Sequence, residues 1–274
     1  MSAPAPPVAL LYPDWPAPAR VRAAFSLRDG GASGPPWASL NLGNHVGDDP
    51  AAVRENRRRL AAALDLPAEP CWLEQVHGTE VWRPGAAGPA RAPAERPRAD
   101  AIVVDEPGIV AAIMVADCIP VLFCDRDGTR VAAAHAGWRG LVAGVLETTV
   151  AAMGLPPSRL LAWLGPAIGP GRFEVGGEVR DAFVAAPDAN AAADTEAAAR
   201  VMRTAAHFRP GRGDRWMCDL TGLARDRLHA LGVRAVTGGE WCTASDSARF
   251  FSHRREAPRT GRMAALVWIE PSHE

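Results

Sequence analysis

Four apolar runs follow one another closely in the middle of the chain, and they constrain its fold more than any other feature. The runs are 101–104 (AIVV), 108–116 (GIVAAIMVA), 119–125 (IPVLFCD) and 129–136 (TRVAAAHA). A short turn at 106–108 separates the first run from the second, and another at 126–128 separates the third from the fourth. Apolar runs of this length without polar alternation are typical of strands that are covered on both faces. The runs therefore predict an α/β fold with large sheets.

Helical patterns lie on both sides of these strands. Asp49 and Pro50 precede a segment with apolar residues at helical spacing, which predicts a capped helix to residue 64. Further helices are predicted at 140–153, 181–184, 194–203 and 220–231, with Asp219 as an N-cap, and further strands at 160–164, 235–243, 248–256 and 262–270. Residues 84–98 are rich in Pro and Ala and predict an exposed loop. We expect an N-terminal arm at 1–19, either mobile or an irregular edge segment, and a single domain at 20–274.

The cationic residues exclude several kinds of chemistry. All 30 basic residues are arginine, so a Schiff-base lysine, a phosphate-loop lysine and a lysine general base are excluded. Tyr12 is the sole tyrosine, which makes tyrosine acid/base catalysis a poor candidate. The net charge of −1 gives no broad basic surface of the kind that binds nucleic acid. We therefore expect no nucleic-acid partner.

The cysteines and the apolar runs also bear on location. Five cysteines, an odd number without a Cys-x-x-Cys pair, favour reduced thiols in a cytoplasmic protein. The run 109–116 is too short to cross a bilayer, which takes ~20 residues, and the N-terminus has no signal-peptide pattern. We expect no membrane association. Spacing matches no partner to Cys71, Cys124, Cys218 or Cys242, so these are predicted to be neither metal ligands nor disulfide-bonded.

Three short motifs place a possible metal ligand where a strand ends or a turn begins. They are Gln-Val-His77-Gly, Ala-Asp117-Cys118 and His135-Ala-Gly-Trp-Arg139-Gly. Cys118 lies between two core strands and His135 ends the next one, so the two side chains can meet at one sheet edge. Imidazole and thiolate suit Zn²⁺, and three protein ligands leave a fourth position for water, as in catalytic zinc sites. A hydrogen-bonded histidine or a buried inert thiol explains each residue equally well when it is taken alone.

Arginines and amide-rich turns supply a possible anion site. Arg139 stands at the predicted start of a helix, where free backbone N–H groups and a fixed cation together favour phosphate. Asn41, Arg57 and Arg254 are further phosphate-binding candidates, together with the neighbours Asn56 and Arg255. A solvated surface is the ordinary role of most arginines, and it remains the alternative for each of these.

Nearly the whole chain resembles one known family. The motifs that carry the resemblance are, in order, NLGNHVGDD with VRENRRRL, LEQVHGTEV, ADAIVV, VADCIPVLFCD, AAAHAGWRGL, LGPAIGPGRFEVGGEV, CDL, and WCTASDSARFFSHRRE with TGRMAALVWI. They cover about residues 20–270 and resemble those of the YfiH family, which was long labelled a laccase or multicopper polyphenol oxidase domain. Its members include the laccase domain-containing macrophage protein.

The resemblance implies a fold, a metal site and a chemistry. The fold is a single domain of α/β/β/α layers, similar to the cytotoxic necrotizing factor catalytic fold. The ligands carried over are His77, Cys118 and His135, and they imply zinc, with copper as the alternative. Family members act on purine nucleosides: they phosphorolyse adenosine, inosine, guanosine and methylthioadenosine, and they deaminate adenosine. Purine nucleosides and phosphate are therefore the expected partners.

Some details of the family pattern change here. Ala244 follows Cys-Thr where relatives commonly have Tyr, and His253 stands where many have Tyr, so base stacking and substrate preference are affected. Asp117 and Arg139 are the catalytic candidates. For Asp117 we favour orientation of a metal-bound imidazole over direct acid/base chemistry, because such imidazoles are usually held by a carboxylate or carbonyl.

Three rival functions use the same residues differently. A multicopper oxidase needs many histidines, typically in His-x-His pairs, and this chain has seven histidines and no such pair. A cysteine hydrolase would use Cys118 as nucleophile and His135 as base, with no role for His77. A non-enzymatic nucleotide-binding or cell-division accessory module would bind zinc and nucleoside without turnover.

Overall fold

The computed structural model of the chain describes residues 6–85, 96–185 and 194–271, so most of the loop predicted at 84–98 lies outside them. The strands are β1 (Leu10–Leu11), β2 (Val21–Ser26), β3 (Cys71–Trp72), β4 (Val81–Trp82), β5 (Ala101–Val104), β6 (Val110–Val115), β7 (Ile119–Asp125), β8 (Val131–Ala136), β9 (Leu160–Leu164), β10 (Glu174–Val175), β11 (Phe208–Pro210), β12 (Trp216–Cys218), β13 (Ala235–Gly238) and β14 (Met263–Ile269). The helices are α1 (Pro50–Leu64), α2 (Trp138–Ala143), α3 (Val145–Met153), α4 (Gly177–Ala185), α5 (Asp194–Ala206), α6 (Leu220–Ala230) and α7 (His253–Glu256).

Two mixed sheets pack face to face between layers of helices. The first has the order β1-β2-β14-β6-β3, and the second has the order β13-β9-β7-β8-β5-β4. Apolar side chains from both sheets fill the space between them, among them Phe25, Ile113, Leu122 and Trp163. Helix α1 covers the outer face of the first sheet, and α2, α3, α4 and α6 cover the second. The predicted mixed α/β fold and its α/β/β/α layers are confirmed.

The four central apolar runs form β5 to β8, and every residue of these strands is buried. Each strand lies in a sheet that has core on both faces, which is why polar alternation is missing from its sequence. The run 109–116 is thus strand β6 with its flanking residues. Among the helices of the described ranges, none has both the length and the apolar character needed to cross a bilayer.

Helix ends follow the predicted capping chemistry. The Asp49 side chain accepts a hydrogen bond from the Ala51 N–H, and Pro50 occupies the first turn, so α1 begins where predicted. Asp219 accepts a hydrogen bond from the Gly222 N–H and caps α6. Residues Leu10–Leu11, inside the predicted arm, pair with β2 as an edge strand.

Three predicted elements differ from the structure. The helix predicted at 140–153 is two helices, because Gly144 adopts a left-handed conformation (φ 100°) between α2 and α3. The strand predicted at 235–243 ends at Gly238, since Gly238 and Gly239 both have positive φ. The strand predicted at 248–256 is an irregular segment followed by α7, and Phe250 and Phe251 are both buried instead of alternating.

Candidate metal centre

The linker between the two sheets brings the predicted ligands together. Strand β6 belongs to the first sheet and β7 to the second, so residues 116–118 carry the chain across the gap. In the second sheet Pro120 of β7 pairs with His135 of β8, which sets Cys118 beside the end of β8. His77 comes from the loop between β3 and β4. One nitrogen or sulfur atom from each of these three residues lies within 4.8 Å of the other two.

A buried carboxylate, Asp100, holds both histidines of this trio. Its Oδ1 lies 2.8 Å from His135 Nδ1, and it accepts backbone N–H groups from Val76, His77 and Gly78 at 3.1, 2.9 and 2.6 Å. Because Nδ1 of His135 faces Asp100, Nε2 is left as the nitrogen available to a metal. The sequence analysis quoted Asp100 within ADAIVV without selecting it. An Asp directly before a buried strand is the signal that could have identified it.

The loop that carries His77 has an unusual backbone. His77 has φ 60°, in the left-handed region that non-glycine residues rarely occupy. Three consecutive N–H groups converge on one carboxylate there, and they hold the residue in this conformation. Non-glycine residues in such conformations cluster at functional sites. The loop is therefore built to present the His77 ring toward His135, and the two ring centroids lie 4.7 Å apart.

The protonation of the two histidines differs. Burial, followed by the neighbouring His135, lowers the pKa of His77 and keeps its ring neutral, as a metal ligand must be. Burial also acts to lower the pKa of His135, but interactions with the Cys118 sulfur and with Asp100 outweigh it and raise that pKa to about 9. In the metal-free trio His135 thus carries the proton that a metal ion would displace.

Asp117 has a different role from the one we favoured. Its Oδ1 accepts the Thr243 hydroxyl at 2.6 Å, and its Oδ2 accepts the Ser252 hydroxyl at 3.0 Å and the Arg254 N–H at 2.6 Å. Asp100, rather than Asp117, is the carboxylate that orients a ligand imidazole. Asp117 thus ties the segments around 243 and 252–254 to residues 116–118, which carry the chain between the sheets. These bonds fix the backbone next to Cys118.

The four predicted phosphate residues are not brought together. Asn41 is fully buried and binds Gly43, Asp48 and the Arg262 N–H. The Arg57 guanidinium lies 4.1 Å from the Trp72 ring centre and donates two hydrogen bonds to the Leu42 carbonyl. The Arg254 guanidinium donates to the Glu174 carbonyl and lies over Phe173. Asn41 and Arg57 therefore serve internal packing, whereas Arg254 and Arg139 are exposed, and Arg139 lies over Trp138.

A cleft of about 440 Å³ opens onto the trio. His77, Cys118 and His135 line it, and so do basic side chains that the sequence analysis missed, His45, Arg96 and Arg262. His45 and Arg262 stand inside quoted motifs, NLGNHVGDD and TGRMAALVWI, but the sequence analysis did not select them. Of the two departures from the family pattern, His253 lines the cleft and Ala244 packs in the core under the second sheet.

The donor set fits a single transition-metal ion. Two imidazoles and one thiol are the nitrogen and sulfur ligands that zinc prefers, and Cu²⁺ also accepts imidazole. Asp100 adds the outer carboxylate that metal-bound histidines usually have. The predicted trio could therefore hold a metal, and the identity of that metal stays a prediction.

The other cysteines stand apart from the trio. All five cysteines are free thiols. Burial raises the pKa of Cys71 to about 11 and the pKa values of Cys124 and Cys218 to about 12, so these thiols stay protonated and are poor ligands. Cys242 is partly exposed and its Sγ accepts the Gly169 N–H at 3.2 Å. That none of these four binds a metal remains a prediction.

Gly137 gives a steric test of the trio. A Cβ at this position would lie 2.7 Å from His77 Nδ1, closer than real Cβ contacts come, and 3.0 Å from Cys118 Sγ, tighter than most of them. We therefore expect Gly137→Ala to push the two ligands apart and weaken metal binding by about 10-fold or more, comparable to the loss of an outer-shell partner. Metal analysis after dialysis measures this. Gly171→Ala, whose Cβ would meet nothing within 4 Å, is the matched control and should keep the wild-type content.

Comparisons with known proteins agree along nearly the whole chain. A sequence profile described as multi-copper polyphenol oxidoreductase laccase matches residues 22–270. A Pseudomonas aeruginosa protein named purine nucleoside phosphorylase is 57% identical over 262 residues, 96% of this chain and 99% of the relative. An Escherichia coli protein named purine nucleoside phosphorylase YfiH is 50% identical over 260 residues, 95% of this chain and 98% of the relative.

Solved structures show the same fold. A Neisseria meningitidis protein superposes with a TM-score of 0.83 at 45% identity, covering 96% of this chain and 99% of its own. YlmD from Geobacillus stearothermophilus superposes with a TM-score of 0.79 at 32% identity, covering 92% and 93%. With a matching profile and relatives of this identity, the chain belongs to the YfiH family of laccase-like domains.

Proposed function

We propose that this protein is a metal-dependent purine nucleoside phosphorylase that also deaminates adenosine. The observation that carries the proposal is the convergence of His77, Cys118 and His135 in a cleft with basic walls. The names of the Pseudomonas and Escherichia coli relatives support the phosphorylase part. Zinc, the deaminase activity and the range of nucleosides rest on the family resemblance. Cytoplasmic location likewise stays a prediction.

Phosphorolysis sets requirements that the cleft can meet. An oxygen of hydrogen phosphate attacks the anomeric carbon, the glycosidic bond breaks, and its electron pair leaves with the purine, which takes up the proton that the phosphate gives up. The products are the free base and ribose 1-phosphate. Basic side chains hold the phosphate, and donors placed in advance stabilise the charge that develops in the transition state. When bound by the trio, zinc would supply Lewis acidity at the floor of the cleft.

Several residues of the chain have defined tasks in this proposal. His77, Cys118 and His135 hold the ion, and Asp100 fixes the two histidines. Gln75 lines the cleft and is locked in place, because its side-chain amide exchanges two hydrogen bonds of 2.8 Å with the Met114 backbone. Of the phosphate residues predicted from sequence, Arg139 is the alternative, although it does not line this cleft. Its charge acts on His77, and its guanidinium makes no hydrogen bond or ion pair to any residue in the described ranges.

One incubation separates the branches of this proposal. Protein of known metal content is mixed with adenosine, with and without phosphate, and the products are identified. Adenine and ribose 1-phosphate formed only with phosphate support phosphorolysis, whereas inosine in either condition supports deamination. A protein that binds zinc and nucleoside but yields no product would favour the accessory module and end the enzymatic proposal.

The structure also favours a second candidate, a cysteine hydrolase. Asp100, His135 and Cys118 form an ordered series in which the imidazole lies between a carboxylate and a thiol, as in nucleophilic triads. A chelator distinguishes the two functions. Removal of metal should abolish activity in the phosphorylase and leave a thiol hydrolase active, while the thiol reagent iodoacetamide stops the hydrolase even without metal.

A further inference from the structure

One side of the cleft is a basic wall, formed by Arg262, Arg96 and His45. The wall adjoins the trio, because Arg262, Arg96 and His45 line the same cleft as His77, Cys118 and His135. Arg262 directly precedes β14, Arg96 lies shortly before β5, and His45 comes from the segment before α1. Three distant parts of the chain thus contribute basic side chains to one surface.

Arg262 is the best-placed cation of this wall. Its Nη1 donates to the Thr260 and Gly261 carbonyls, both at 3.1 Å, and its backbone N–H binds Asn41 Oδ1 at 2.8 Å. In the described part of the chain, no carboxylate lies within ion-pairing distance of its guanidinium. Burial lowers the pKa of Arg262, so the surroundings oppose its charge. The charge of Asp117 acts in the opposite direction without forming an ion pair with it. A guanidinium stays protonated, and a partly buried cation with no directly paired carboxylate attracts an anion.

The surroundings of His45 show how positive this wall is. Burial, followed by the charges of Arg262, Arg96 and Arg57, lowers the pKa of His45 to about 4. A neutral imidazole can still donate one hydrogen bond to an oxyanion. Glu74 is the carboxylate on the cleft lining, and it forms an ion pair with Arg98 at 3.6 Å. The cleft therefore has a net positive potential beside the trio, which concentrates anions.

The guanidinium geometry indicates which anion fits. With Nη1 committed to two carbonyls, Nε and Nη2 of Arg262 retain the paired donors that match two oxygens of a phosphoryl group. Phosphate bound there would lie next to Cys118 and within the cleft that holds the nucleoside in our proposal. Arg139 lies instead over the Trp138 ring, is exposed, and does not line this cleft.

We propose that Arg262, with Arg96 and His45, forms the subsite of the cleft that binds a phosphoryl dianion. The shared chemistry is a doubly charged phosphoryl group, either inorganic phosphate as co-substrate or the phosphoryl group of a nucleotide substrate. The inference rests on the proposed function for its place in the reaction, and on the wall alone for binding. It moves the phosphate from the sequence-predicted Arg139 to residues that sequence reasoning missed.

The test compares Arg262→Lys with Arg139→Lys. Lysine keeps the charge and much of the aliphatic stem, but it loses the paired donors. Binding of inorganic phosphate is measured by calorimetry at constant ionic strength, and KM for phosphate is measured with inosine in excess. We expect Arg262→Lys to raise the dissociation constant and the KM for phosphate about 10-fold or more, while Arg139→Lys changes them less than about 3-fold. Arg54→Lys, on the exposed face of α1, is the matched control and should leave both unchanged.

A second variant guards against misfolding. The Arg262 side chain also bonds the Thr260 and Gly261 carbonyls, so its replacement acts on the start of β14 as well. Arg96→Gln removes a charge of the same wall from outside β14, and we expect a smaller loss of phosphate binding in the same direction. Circular dichroism and metal content confirm that each variant is folded and loaded.

The outcomes separate the subsite from the proposed function. If Arg139→Lys weakens phosphate binding and Arg262→Lys does not, the subsite is wrong while phosphorolysis stands. If the wild-type protein forms no ribose 1-phosphate, the function fails, and calorimetry alone then judges the subsite. A purine nucleoside 5′-monophosphate forms a second arm. If Arg262→Lys weakens binding of the nucleotide but not of inorganic phosphate, the subsite stands and its ligand is the phosphoryl group of a nucleotide. If Arg262→Lys weakens binding of neither ligand, the subsite is wrong.

Discussion

Cys118→Ala protein should lose most of its bound metal, and its phosphorolysis rate should therefore fall by more than about 100-fold. Cys118 provides the one sulfur of the trio, and two imidazoles alone make a much weaker site than the full His, Cys, His set. The cost exceeds that of losing an outer-shell partner, which is typically about 10- to 100-fold in affinity or activity. Metal analysis after dialysis measures the loss of metal. Initial rates with inosine at saturating phosphate measure the loss of activity.

Two further variants give this result its meaning. Cys242→Ala removes the other partly exposed thiol, which lies outside the trio, and it should keep full metal content. His77→Ala distinguishes metal chemistry from thiol chemistry, because His77 is a ligand in the first and has no task in a cysteine hydrolase. Full activity in His77→Ala together with full metal content in Cys118→Ala would falsify the metal centre.

The layered fold was predictable because local sequence patterns determine its strands and its helix starts. Strands β5 to β8 are continuous apolar runs, and such runs can be satisfied only by core on both faces. Asp49 and Asp219 mark their helix starts by side-chain chemistry alone. The break at Gly144 escaped prediction because a glycine inside a helical pattern can either continue or end the helix, and the segment around Phe250 and Phe251 escaped because packing buries both rings.

The site was predictable only in part, for a related reason. The trio was found from motifs that place His77, Cys118 and His135 at turns, and the geometry brings these residues together. Their supports were harder to find, because an outer-shell carboxylate or a buried arginine has no spacing rule. Asp117 stands beside a ligand in sequence, whereas Asp100 stands beside the ligands in space. The same difference separates Arg139 from Arg262.

Asp100 is the residue whose replacement should cost the fold and the site together. It is fully buried and accepts four hydrogen bonds, three from the backbone at residues 76–78 and one involving His135 Nδ1. Burial acts to raise the pKa of Asp100, but the hydrogen bonds from His135 and the backbone outweigh it and lower the pKa, so the native carboxyl is ionised. Asp100→Asn keeps the shape but loses the charge, and its side-chain NH2 turns a donor toward groups that themselves donate.

We expect Asp100→Asn to lower the free energy of unfolding by about 3–5 kcal/mol, as when a buried charged network loses one partner, and to weaken metal binding by about 10- to 100-fold. Asp105→Asn, at the exposed far end of β5, is the matched control. Its ion pairs with Arg83 and Arg130 lie in solvent, so the change should be at most about 1 kcal/mol.

Urea unfolding with and without added zinc measures both effects. Because metal stabilises only the folded state, zinc in excess should restore part of the lost stability in Asp100→Asn. If zinc stabilises wild type and Asp100→Asn at the same concentrations, Asp100 supports the loop alone and does not position the metal ligands.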